Sequence, residues 1–90
     1  MSGGNWKEFY LAARDGDFEL VRYHVLNGVD VNYAHPEFQS TALVAAILAG
    51  RLDVAQYLLD NGADPDLMSD MDGETPREAA ARIGMGLAFG

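Results

Sequence analysis

The chain has 90 residues, 49% of them hydrophobic and none of them cysteine, which describes one small globular domain without disulfide staples, thiolate nucleophiles or cysteine-ligated zinc. Fourteen acidic residues against six basic ones give a formal net charge of −8. That balance disfavours nucleic acid and anionic membrane surfaces, both of which are gripped by lysine and arginine, and suits a basic or neutral protein partner better. The opening stretch, MSGGNWKEF, has no basic region followed by an apolar core, and the longest apolar run, Ala42 to Ala49, is too short to cross a bilayer. The expectation is a cytoplasmic protein that does not enter a membrane.

In chain order, the first predicted helix begins around Trp6, with Asn5 and Glu8 placed to cap it, and stops at Gly16. A second carries Tyr23 and His24 and ends in LNGVDVN. The loop through HPEFQ leads to Thr41, a predicted N-cap for ALVAAILA, which stops at Gly50. The next run, LDVAQYLLDN, sets Leu52, Ala55, Leu58 and Leu59 at helical spacing and ends at Gly62, a residue suited to the left-handed turn that closes many helices. After the acidic loop DPDLMSDMDGE comes TPRE, in which Thr75 caps, Pro76 takes the first helical position and Glu78 completes a capping box.

These signals recur with a period of 34 residues: Asn27 and Gly28 fall on Asn61 and Gly62, Asp30 on Asp64, Tyr23 on Tyr57, and Thr41 on Thr75. A fixed period of this length means stacked supersecondary units, none able to bury its apolar face alone. The units run from about 5 to 37, 38 to 71 and 72 to 90, within one domain covering 1–90.

The segments TALVAAILAG, GVDVN, GADPD and DGETPREAAARIG together resemble the ankyrin-repeat family over roughly residues 5 to 85. The resemblance implies an all-α solenoid of helix-turn-helix units joined by β-hairpin-like loops. It departs from the family pattern where Val44 and Glu78 replace the usual histidine, and the first unit opens straight into a helix as a capping unit does. The third unit reaches GMGLAFG where its second helix should begin, so Val54 and Leu58 are expected to stay partly exposed. Three arrangements are open for that tail: folded back as an irregular cap, frayed, or buried against a second copy through Met85, Leu87 and Phe89. The expected state is a monomer or a weak homodimer.

No catalytic or cofactor constellation is expected. His24 and His35 stand apart from other chemistry, and the acidic loop fails the calcium pattern because Gly73 is misplaced and no glutamate stands at the twelfth place. The chain therefore reads as a non-enzymatic binding module. The resemblance implies recognition through loop tips and the open side of the first helices. The positions matching that description include Leu11, Ala42 and Ala49, and the candidate binding residues are Glu8, Asp15, Glu37, Phe38, Gln39, Arg51, Asp70, Met71, Asp72 and Glu74. Phe38 has two readings, an apolar anchor for a partner or a side chain folded onto Tyr33 and its loop. The alternative function is a self-assembling structural unit whose open C-terminal end stacks on its own copy or a neighbouring domain.

Overall fold

The computed structural model describes residues 6–34, 37–68 and 73–89. Among them lie five helices and no strand: α1 (Trp6–Asp15), α2 (Phe18–Leu26), α3 (Ala42–Leu48), α4 (Leu52–Asp60) and α5 (Pro76–Ile83).

The helix starts follow their caps. Asp17 accepts the Leu20 amide at the head of α2, and Thr41 accepts the Val44 amide at the head of α3. Thr75 and Glu78 bond reciprocally at the head of α5, with Pro76 inside the first turn. Glu78 thus makes a cap where the family places histidine, while Val44, at the same position one unit earlier, is buried. Of the pair expected to cap α1, Asn5 lies outside the described residues, and Glu8 Oε1 receives a bond from His24 Nε2 at 2.7 Å.

The repeated heptapeptide has a local explanation. Asn27 Nδ2 donates back to the Tyr23 carbonyl at 2.7 Å, and Asn61 Nδ2 does the same to Tyr57 at 2.8 Å, so each asparagine ties down the last turn of its helix. Asp30 Oδ1 accepts the Asn32 amide and Asp64 Oδ1 the Asp66 amide, the Asx turn that redirects the chain after each helix. Asn32 then joins the units, its amide donating to the Gly62 carbonyl and accepting from the Asp64 N–H.

Packing makes two layers. Helices α1, α3 and α5 lie side by side with α3 in the middle, and α2 and α4 stand behind them. The central helix is buried from Ala42 to Ile47, and its run of alanines lets neighbouring backbones approach closely. Phe9, Val21, Leu43, Ile47, Val54 and Leu58 complete the core.

The structure corrects one expectation. Val54 and Leu58 are fully buried, because the residues after α5 turn back and pack on the core. Gly84 closes α5 in the left-handed conformation (φ 75°), and the Met85 amide then bonds to the Ala80 carbonyl. Met85, Leu87 and Phe89 are half-buried against the cluster, with the Arg77 guanidinium 4.6 Å from the Phe89 ring centre. An irregular segment covers what a second helix of the third unit would cover.

Candidate protein-docking face

The open side of α1 and α3 is an apolar groove of about 350 Å³ lined by Tyr10, Arg14, Ala45, Leu48 and Ala49. It exists because α3 has its last turn at the surface. Ala42 to Ile47 are buried, whereas Leu48 is 45% exposed and Ala49 is also open. Ala42, expected on the open face, is 2% exposed and belongs to the core. It directly follows the cap residue Thr41, on the side of α3 turned into the stack.

Aromatic rings shape the upper end of this face. Phe38 stacks on Tyr10 (centroids 4.3 Å apart, planes 22° apart) and meets Trp6 edge-on at 5.4 Å, while Trp6 meets Tyr33 edge-on at 6.4 Å. Phe38 therefore does fold back, but chiefly onto α1 rather than onto its own loop, and keeps part of its surface open. Ser40 Oγ, beside these rings, is buried with no hydrogen-bond partner among the described residues. Gln39 has φ of +53°, the region that the third unit assigns to Gly73 (φ +66°) at the equivalent tip. A side chain held there is strained where glycine would not be.

Among the described residues, the candidate carboxylates are matched within the chain. Glu37 lies 3.9 Å from Lys7 Nζ, Arg14 Nε donates to Asp15 at 3.3 Å, and Arg82 donates two bonds to Glu74 at 2.7 and 3.3 Å. The bonds from Arg82 hold the Glu74 carboxyl below its usual pKa. Arg51 serves the stack itself: its Nε donates 3.1 Å to the Arg14 carbonyl at the end of α1 and lies over Gly16. Glu8 and Leu11 line a different surface, between α1 and α2, together with Asp15. Asp70, Met71 and Asp72 lie outside the described residues. Tyr10, Arg14 and Leu48 were missed as groove residues. Arg14 and Leu48 are one period of 34 apart, so the repeat itself marks a row that faces the same way.

Among the described residues no three His, Cys, Asp or Glu side chains converge on a metal position, and no helix is long and apolar enough to cross a membrane. The family model for ankyrin repeats, in three copies, matches residues 9–86. The chain belongs to the ankyrin-repeat family. It is 38% identical over 93 residues to the potassium channel AKT3 of Oryza sativa subsp. japonica, an alignment covering 99% of this chain and 10% of the channel. It is 41% identical over 76 residues to the E3 ubiquitin-protein ligase hecd-1 of Caenorhabditis elegans, covering 84% of this chain and 2% of the ligase. With human ARF GTPase-activating protein GIT1 it shares 33% over 78 residues, 87% of this chain and 10% of that protein. The ankyrin chain thus spans a tenth or less of each of these three relatives. Ankyrin repeats generally mediate protein–protein interaction and are generally non-catalytic.

Proposed function

We propose that this ankyrin domain is a non-catalytic docking module whose partner inserts an apolar side chain into the α1–α3 groove and lays its flanks against Phe38 and the tips at Glu37 and Glu74. The observation that carries this reading is Leu48, 45% exposed at the open end of an otherwise buried helix, where a polar residue would serve folding equally well. Gln39 supports it, since the strained tip would be relieved by glycine. The rim carboxylates Glu37 and Glu74 are paired with Lys7 and Arg82, so specificity there comes from exchanging these pairs with the partner. The net charge of −8 favours encounter with a basic protein and acts on association rate more than on affinity.

Placing a photo-crosslinking residue at Leu48, and separately at Asp60 at the C-terminal end of α4, tests the proposal in native extract. A discrete adduct from position 48 that Phe38→Ala weakens is expected, with none from position 60. Equal labelling from both positions would defeat it. Self-assembly through Met85, Leu87 and Phe89 is the competing reading; it requires these half-buried side chains to leave the core and predicts a solution mass that rises with concentration.

A further inference from the structure

A second groove, of about 470 Å³, opens between α1 and α2 on the outer side of the first unit, away from α3. Leu11, Ala12 and Leu20 form its apolar floor, and Glu8, Asp15 and Asp17 outnumber the single cation, Lys7, at its edges. The repeat shows what such a surface receives. Carried forward by one period, Glu8, Leu11, Ala12 and Leu20 become Ala42, Ala45, Ala46 and Val54, each 5% exposed or less within the stack. Asp17 becomes Arg51, whose side chain crosses the unit boundary to the Arg14 carbonyl. In the second unit, then, this surface seats the preceding helices everywhere but at Ala49, the exposed counterpart of Asp15, and the first unit presents the corresponding surface open.

Its chemistry has been changed in two directions at once. Alanine has become Glu8 at one position and Leu11 at another, and Arg51 has its counterpart in Asp17. A surface meeting only water gains nothing from leucine where the interior uses alanine, and three carboxylates against one lysine favour a partner that brings cations of its own. The carboxylates are also oriented in advance: Glu8 by His24 Nε2, Asp15 by Arg14 Nε, and Asp17 by the Leu20 amide. Glu8, Leu11 and Asp15 follow one another along a single face of α1, the two acids about 10 Å apart over two turns.

We infer that the outer α1–α2 groove is a docking site, separate from the α1–α3 groove, for a basic amphipathic helix of a partner protein. The helix carries lysine or arginine residues two turns apart, matching Glu8 and Asp15, and an aliphatic residue between them that seats on Leu11 and Leu20. Shape comes from the helix-receiving surface of the repeat, and charge from the carboxylates.

The test titrates the isotope-labelled 90-residue protein with an alanine-based helical peptide bearing two lysines two turns apart and a leucine pair midway. Its twin carries glutamates in place of the lysines. Saturable amide shifts at Leu11, Asp15 and Leu20 are expected with the lysine peptide only. Glu8→Gln, Asp15→Asn and Asp17→Ser together should weaken binding about tenfold or more, since each exposed charge pair contributes modestly and the three act together. Serine keeps the cap of α2 and glutamine the acceptor for His24. Leu11→Lys alone should abolish the shifts, and Leu48→Lys should leave them unchanged, which separates this site from the other groove. Shifts centred on Leu48, an equal response to the glutamate twin, no saturable shift, or a peptide-independent dimer seated on Leu11 would each overturn the inference.

Discussion

Gln56 on α4 grips Ala88 by both of its backbone groups, donating from Nε2 to the carbonyl at 3.0 Å and accepting the amide on Oε1 at 2.9 Å. One side chain thereby replaces two rungs of the ladder that regular structure would have provided, and holds an irregular segment over Val54 and Leu58. Replacing Gln56 with alanine should lower the unfolding free energy by about 1–2 kcal/mol, two modest net hydrogen bonds. It should also remove amide-exchange protection at Ala88 before any other site. Unchanged protection there would mean that the apolar side chains alone hold the segment.

Arg51 and Gly16 should be energetically coupled. Gly16 has φ of +78°, and a Cβ built on it would lie 2.8 Å from Arg51 Cδ, so Gly16→Ala both strains the backbone and pushes Arg51 off the Arg14 carbonyl. Each single change, Gly16→Ala or Arg51→Ala, should destabilise by about 1 kcal/mol or more. The double variant should fall short of the sum by about 0.5 kcal/mol or more, as contacting residues do. Additive losses in urea titrations would show that the two act independently.

Ser40 makes the opposite prediction. Its hydroxyl is buried beside the Trp6, Tyr10 and Phe38 rings with no partner among the described residues. Ser40→Ala should be neutral or should raise stability by up to about 1 kcal/mol, because an unpaired buried oxygen costs more than it contributes. A loss above that size would reveal a bond that the hydroxyl makes.

The loop between α4 and α5 should respond to acid. Arg77 donates two bonds to Asp66, and Arg82 two to Glu74, and each lowers its carboxyl pKa below the ordinary value of 3.8 or 4.5. A lowered folded-state pKa gives stability that is fully present above the unfolded value and is lost as pH falls through the folded one. The unfolding midpoint should therefore begin to drop below pH 4.5, and Asp66→Asn with Glu74→Gln should flatten the decline. Both pairs are solvent-exposed, so added salt should shrink the difference. A slope unaffected by the double variant would assign the acid sensitivity elsewhere.

The fold was legible in the sequence because its decisive contacts are short. Thr41 to Val44, Thr75 to Glu78, Asn27 to Tyr23 and Asp30 to Asn32 all close within four residues, and each has its match one period away. Residue type at fixed spacing is enough to predict such bonds, and the period of 34 then dictates that the units stack. The candidate face was only half legible. The sequence offered Phe38 as a tip residue without its stacking on Tyr10, and it offered Arg51 as a binding residue without its bond 37 residues back along its own chain. Likewise Glu8 bonds His24, 16 residues away, and Tyr10 receives Phe38.

By itself, then, the sequence determined the helices, their caps and the repeat, all consequences of hydrogen bonds and periodicity among near neighbours. Only the tertiary structure decided that residues 85–89 cover Val54 and Leu58, and that Asp15, Glu37 and Glu74 already have cations. It also decided that the two open grooves lie on different sides of α1. Those outcomes depend on which side chains the packed helices and loops bring within reach of one another, and local pattern carries no record of that.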